Sequence, residues 1–440
     1  MIRPCYSADK LRGIWGAMIQ VAVIADDLTG AADTAIQFRS ISAPVLLVSH
    51  RHLSSLGREF AGGTLAVSTD SRHLSPAEAA ARVRRAGLSV KKLAPFVVYK
   101  KIDSCLRGNI GAEVEALTDL LGFEGAFIAP AFPDQGRTTL HDIHFVRGVP
   151  LAASEMGHDP VNPVTESRLS RLIALQSRFP VGRIDVTEFD NGLECLKEAI
   201  DHLLRQGRRV IVFDAATQWH LEIIACLAHD HFPRTLLVGS AGLALALAQC
   251  LHAGKEPWQT RSCMVGQRVL FVCGSGSEVL GEQVETLVKQ ACLPRHVLDP
   301  GLSVEERYEL AGVGPDLSAG AVILQLAPIV GEGSTVSRVS ADQASRALAF
   351  VAAEVVRRHR PDVLFLCGGD TAAAVLDAVG ATGVWLQSEI LPGLVHGTIK
   401  GGDCDGLVVV TKAGGFGDWD TLLRLYAILT RKALANECSS

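Results

Sequence analysis

Short apolar runs alternate with longer stretches of helical periodicity along this chain. The runs IQVAVIA (19–25), PVLLVS (44–49), TLAVST (64–69), FVVYKKI (96–102), GAFIAP (125–130), RRVIVFDA (208–215) and RTLLVGS (234–240) have strand length. Their apolar residues are consecutive, which predicts strands buried on both faces, as in parallel sheets. Between them lie patterns such as SPAEAAARVRRAG (75–87). Ser75 fits the N-cap, Pro76 the first helical position, and Glu78 completes a capping box. HDIHFVRGVPLAASE (141–155) reads as a hairpin. Around 253–267 the sequence AGKEPWQTRSCMVGQ is polar and aperiodic, a domain boundary by composition. The alternation then restarts with RVLFVCG (268–274), AVILQLAP (321–328), DVLFLCG (362–368) and LVVVTK (407–412). We therefore expect an α/β protein of two α/β domains with largely parallel sheets, at 18–252 and 268–440, joined by a linker at 253–267. Residues 1–17, before Met18, read as an N-terminal extension without the apolar core of a signal peptide.

Composition narrows the classes. The 440 residues are 48% hydrophobic with mean hydropathy +0.25, enough to bury large cores. The net charge is -5 and the pI about 6.3, so no basic field draws in nucleic acid or an anionic membrane. No apolar run reaches the ~18 residues of a membrane span. Eleven cysteines, odd in number and without a CxxC pair, argue against a disulfide framework or thiolate zinc site. Cys273 and Cys367 read as small buried hydrophobes in a reducing, cytoplasmic compartment.

Chemistry gathers where strands end. The first strand runs into ADDLTGAAD (25–33), placing Asp26 and Asp27 beyond its carboxyl end, where ligands bind in open α/β sheets. Two such carboxylates can attract a cation or accept substrate hydroxyls; one can equally just cap the helix opening at Thr29–Gly30. The fourth strand runs into YKKIDSCLRGN (99–109), with Lys100, Lys101, Asp103 and Arg107. Lys100 and Lys101 must point to opposite faces, so one of them faces the crevice. Arg107 suits a carboxylate or phosphate. The fifth strand runs into APAFPDQGRTT (129–139), presenting Asp134, Gln135 and Arg137. His141 and His144 have neither HExxH spacing nor an evident third ligand, so a structural or substrate-contact role is expected. This lining suits a small, hydroxylated, anionic molecule.

Glycine marks the second domain. Twelve glycines lie between Gly368 and Gly417, where the average composition gives about 4 in 50 residues. They punctuate strand–turn–helix units at CGSGS (273–277), CGGDTAAAV (367–375) and KAGGFGD (412–418). Such turns let backbone approach a ligand, and helix N-termini offer amides to phosphate, so three together imply a nucleotide. GxxxxGK[ST] is absent, and Val279 stands where GxGxxG needs its third glycine. Asp370 could orient Mg²⁺ through water and Lys412 could meet phosphates, although either can be a cap or surface charge.

Taken with DPVNPV (159–164), these motifs in this order resemble the four-carbon acid sugar kinase family from Met18 nearly to the end. The resemblance implies an N-terminal acid-sugar-binding domain, a C-terminal ATP-binding domain and an active site in the interdomain cleft. It implies a substrate side of Asp26, Asp27, Lys100, Asp103 and Arg107, to which Arg137 is added from its loop. It implies an ATP side of Ser275, Gly368, Gly369, Asp370, Thr371 and Gly414. Cys105 departs from the family's usual threonine, and Gly415 from an expected asparagine. HDIHFVRG after Thr139 leans toward the threonate/erythronate branch over the 3-oxo-tetronate branch.

The expected reaction is phosphoryl transfer from ATP·Mg²⁺ to the terminal hydroxyl of a four-carbon sugar acid, D-threonate or D-erythronate. Arg107 and a lysine, with Lys100 a candidate, would hold the substrate carboxylate, and Asp103 or Asp27 would accept the hydroxyl proton. The expected partners are a sugar acid and ATP, not nucleic acid or membrane, with self-association left open. A nicotinamide-dependent sugar-acid oxidoreductase and a non-enzymic sugar-acid sensor are the competing classes; the missing third glycine disfavours the first.

Overall fold

The computed structural model describes residues 19–56, 60, 62–159, 162–252, 266–303, 306–307, 309, 316–317, 320–327 and 340–431. The expected extension at 1–17, and the expected linker apart from Gly266 and Gln267, lie outside the described residues. The chain divides into two compact units, Met1–Trp258 and Gln259–Ser440.

The first unit opens with β1 (Val21–Ala25), α1 (Leu28–Gln37), β2 (Val45–Ser49), β3 (Thr64–Ser68), α2 (Pro76–Leu93), β4 (Val97–Lys101), α3 (Ile110–Leu121) and β5 (Gly125–Ala129). β6 (Arg137–Leu140), β7 (Ile143–Val146), β8 (Val149–Pro150), α4 (Leu169–Gln176), β9 (Val181–Ile184), α5 (Leu193–Arg205), β10 (Val210–Phe213), α6 (Gln218–His231), β11 (Thr235–Gly239) and α7 (Ala241–His252) follow. Its main sheet has the order β2-β3-β1-β4-β11-β5-β10-β9, every pairing parallel. Successive residues of β1 are all buried, as their uninterrupted apolar run requires when helices cover both faces. From β1 the chain first builds toward β2 and then returns to place β4 on the other side. This reversal opens a crevice between the carboxyl ends of β1 and β4.

The Ser75–Glu78 capping box is present, and α2 continues past the expected end at Gly87 to Leu93. The expected hairpin at 141–155 is instead the antiparallel β6–β7–β8 sheet, spanning 137–150. Its two-residue turns are His141–Asp142 and Arg147–Gly148, all four at positive φ. That conformation matches the twist of a hairpin, so turn geometry moved the strands upstream of where the sequence placed them.

The second unit contains β12 (Val269–Cys273), α8 (Glu278–Ala291), β13 (Arg295–Leu298), β14 (Val322–Leu326), α9 (Ala341–His359), β15 (Val363–Cys367) and α10 (Gly369–Ala378). It ends with β16 (Gly383–Leu391), β17 (Leu394–Lys400), β18 (Val408–Lys412) and α11 (Thr421–Thr430). Its strands order as β13-β14-β12-β15-β18-β17-β16, parallel as far as β18 and antiparallel beyond. Cys273, Cys367 and Lys412 are paired across three neighbouring strands, so the three glycine-rich turns leave the sheet at one level. The core under them includes Phe271, Phe365, Leu280, Val284, Val410 and Leu422. Cys273 and Cys367 are buried in it, burial pushing both thiols up. Among the described residues, no helix is long and apolar enough to cross a membrane.

Candidate active site

The crevice of the first unit is a buried array of opposite charges. Asp26 and Asp27 follow β1. Asp27 caps α1 by accepting from the Gly30 amide at 3.2 Å, and it accepts the Thr29 hydroxyl at 2.7 Å. The helix-cap role and an ionic role therefore coexist in one carboxylate. The ionic partner is Arg72, in the loop after β3. Its Nε donates to Asp26 Oδ2 at 2.6 Å and its Nη2 to Asp27 Oδ1 at 2.8 Å. The same Nη2 lies 3.9 Å from Asp103 Oδ1. Asp103 accepts from Arg107 Nε at 2.7 Å, and Arg107 Nη1 reaches Asp159 Oδ2 at 3.4 Å.

Lys101 completes the array. A Cβ on Gly30 would meet both Asp27 Oδ1 and Lys101 Nζ at 2.5 Å, so only glycine lets α1 start this close to the two charges. Burial alone would raise the Asp103 carboxyl, but Arg107, Arg72 and Lys101 outweigh it and hold Asp103 well below the ordinary range. Asp27 is likewise lowered: burial opposes, and Arg72, Lys101 and the Thr29 hydroxyl prevail. Burial would depress the Arg72 guanidinium, but Asp26, Asp27 and Asp103 hold it protonated. Asp26 Oδ1 is buried and has no hydrogen-bond partner, an acceptor left over by the protein itself.

Of the residues singled out from the sequence, Asp26, Asp27, Asp103 and Arg107 come together here. Lys100 does not. It projects to the other face of the sheet, with Nζ 2.8 Å from Glu113 Oε2 and both side chains fully buried. Strand alternation demanded that one lysine face the crevice, and that lysine is Lys101. Arg137 is buried behind the 103–107 turn, donating to the Gln135 carbonyl and lying against Cys105. His144 is structural: its ring bridges Thr139 Oγ1 (2.9 Å) and the Ser104 carbonyl (2.7 Å), and burial lowers it to about 4. His141 pairs with Asp185 at 3.1 Å near Asp214. Sequence reasoning missed Arg72 because it sits in the loop after β3. No local pattern marks it: only the pairing of β3 with β1 brings the residues that trail β3 to the same crevice.

In the second unit the turns interlock through missing side chains. A Cβ on Gly414 would collide with Ser275 Oγ, and one on Gly274 with Thr371 Oγ1. Gly368 has φ 103° and caps α10, bringing its backbone within contact of Ser275 and Thr371. Ser275, Gly368, Gly369, Asp370, Thr371 and Gly414 thus form one cluster at three adjacent strand ends. Neither α8 nor α10 has a side-chain N-cap hydrogen bond, which leaves first-turn amides available to an anion. The Ser277 hydroxyl at the start of α8 is buried without a partner. These features fit a polyphosphate. Lys412 does not point at one: its Nζ donates to the carbonyls of Ala413 (3.0 Å), Gly414 (3.2 Å) and Phe416 (2.9 Å), folding the glycine-rich turn around itself.

Comparison with known proteins agrees with this division of labour. Residues 21–247 match the sugar-binding N-terminal domain model, and residues 270–422 the nucleotide-binding C-terminal domain model. The chain is 35% identical to the D-threonate kinase of Salmonella typhimurium, over 92% of this chain and 97% of that one. It is 30% identical to the D-erythronate kinase of Heliobacterium modesticaldum, over 96% and 99% respectively. A crystal structure of a Salmonella typhimurium protein, 27% identical, superposes with a TM-score of 0.75 over 92% of this chain and 98% of the other. The chain belongs to the four-carbon acid sugar kinase family and is a phosphotransferase with an alcohol group as acceptor.

Proposed function

We propose that the protein is a cytoplasmic, ATP-dependent kinase of the terminal (4-) hydroxyl of a four-carbon sugar acid, D-threonate or D-erythronate. The observation that carries this reading is the crevice array, in which three buried aspartates face Arg72, Arg107 and Lys101. It offers cations for a carboxylate and acceptors for hydroxyls in one small space. The named relatives act on such acids. The described cysteines are all free, in keeping with a reducing compartment.

Arg107 has the more exposed guanidinium of the two, 28% against 11% for Arg72. It is the group that meets an incoming carboxylate, with Lys101 beside it. When Arg107 turns to the substrate, Asp103 loses its strongest cation and becomes a better proton acceptor. Asp103, or Asp27, then orients the substrate hydroxyl and takes its proton. Asp26 Oδ1 accepts a second hydroxyl. In the second unit, Ser275, Gly368, Gly369, Thr371 and Gly414 would hold the phosphates of ATP through backbone amides and hydroxyls, and Asp370 would orient Mg²⁺. When bound, ATP·Mg²⁺ supplies the transferable phosphoryl group and neutralises its charge. Acceptor groups belong to one unit and donor groups to the other, so catalysis is mostly positioning.

The test is ADP release measured over D-threonate, L-threonate, D-erythronate and the 3-oxo-tetronates, with phosphorus NMR of the product. Turnover with a threonate or erythronate and a phosphate on O4 supports the reading. Exclusive use of a 3-oxo-tetronate moves the chain to the other branch, and activity on no acid overturns the proposal.

A further inference from the structure

We propose that the buried pair Glu113–Lys100 is a positioning device for the acid side of the reaction, acting through Ser71 on Arg72. The proposal deepens the kinase reading and rests on it for its substrate. Helix α3 starts at Asn109, whose side chain makes no N-cap bond. Its amide instead donates to the carbonyls of Leu74 (2.8 Å) and Ser71 (3.4 Å). One turn later Glu113 Oε1 accepts the Ser71 hydroxyl at 2.6 Å. Ser71 Oγ lies 2.8 Å from Thr69 Oγ1, which donates to the Ala25 carbonyl at 2.8 Å. The first turn of α3 therefore grips the loop that carries Arg72.

The other oxygen of Glu113 does the same for the neighbouring strand. Glu113 Oε2 forms an ion pair with Lys100 Nζ at 2.8 Å, and the ammonium donates its hydrogen bond to the Lys101 carbonyl at 2.7 Å. Lys100 thus fixes the point at which β4 stops and the Lys101–Asp103 segment begins. One carboxylate ties together the two segments that supply Arg72 on one side and Lys101 and Asp103 on the other. A buried ion pair is a weak source of stability, since apolar groups of similar volume do as well. What it supplies is direction, because ionic acceptors fix donors in place.

The experiment compares Glu113→Gln, Ser71→Ala and the double variant Lys100→Met/Glu113→Leu with the wild type. The single variant Glu113→Gln sets an amide against the Lys100 ammonium, so stability falls; the double variant removes both charges and recovers it. All three are expected to raise KM for the sugar acid about tenfold or more, the worth of one charge-assisted hydrogen bond, with KM for ATP changed less than about twofold. Amide exchange of the 69–74 segment, measured without substrate, is expected to quicken in the double variant. A stable double variant with wild-type KM for the acid and unchanged exchange would show that the pair only fills space, and would overturn the proposal. Equal losses for acid and ATP would overturn it too. If the wild type turns over no acid, the kinase reading fails by itself, and the exchange measurement still decides whether Glu113 orders the loop.

Discussion

Replacing Arg72 by methionine keeps an unbranched apolar stem and removes the guanidinium with its charge. In the folded protein Arg72 makes two short charged hydrogen bonds, to Asp26 and Asp27, and lies 3.9 Å from a third carboxylate. All four side chains are about 11% exposed or less, so solvent does little to screen the change. Breaking a buried charge pair by removing one partner costs about 3–5 kcal/mol, a large share of the roughly 5–15 kcal/mol that holds a domain together. The loss should depend on pH. Asp27 and Asp103 are held low in the folded state, so they contribute stability above their unfolded values that is lost as pH falls. Without Arg72 the burial that already opposes ionisation gains ground, and the folded variant takes up protons more readily than the wild type. The deficit should be full at pH 8 and narrow by about 1 kcal/mol or more toward pH 5. Amide exchange in Val21–Ala25 and Val97–Lys101, the two strands bordering the crevice, reads this without interference from the second unit. A deficit under about 1 kcal/mol at pH 8, or one that does not change with pH, would refute the claim that Arg72 neutralises a buried carboxylate cluster.

Other perturbations probe the remaining parts. Asp103→Asn should abolish turnover while leaving nucleotide affinity within about twofold by calorimetry; near-normal kcat would remove Asp103 from the mechanism. Gly414→Ala forces a methyl group onto Ser275 Oγ. It should raise KM for ATP by about tenfold or more with KM for the acid little changed, and steady-state kinetics in both substrates would show it. His144, lowered to about 4 in the fold, costs stability as pH falls from about 6.5, because the unfolded chain takes up the proton first. Urea titrations should show about 3 kcal/mol lost between those limits, a slope that His144→Gln lacks; equal slopes would contradict the buried, neutral imidazole.

Much of the fold was legible because strands buried on both faces write themselves as continuous apolar runs. IQVAVIA, FVVYKKI, RVLFVCG and DVLFLCG became β1, β4, β12 and β15. The antiparallel pair β16–β17 was not read, since GVWLQSEIL and LVHGTIK mix polar residues into the strand and carry no such run. Candidate residues just past strand ends were legible for the same reason, Asp26 and Asp103 among them. What the sequence could not decide was direction. Lys100 and Lys101 are adjacent and chemically alike, and only the pairing with Glu113 shows which one leaves the crevice. Lys412 looked like a phosphate ligand from its place at the head of KAGG, yet three carbonyls surround its ammonium. Arg72 was invisible because its loop comes from β3, and its meeting with Asp26 depends on a strand order that local pattern does not encode.

In the proposed reaction the first unit binds a four-carbon sugar acid, and the acid's terminal hydroxyl receives a phosphoryl group from ATP. A coupled ADP-release assay over D-threonate, L-threonate, D-erythronate and the 3-oxo-tetronates tests it most directly. Acid-dependent ADP formation is expected, strongest with D-threonate or D-erythronate and lost in Asp103→Asn. ADP release independent of every acid, or none at all, would contradict it.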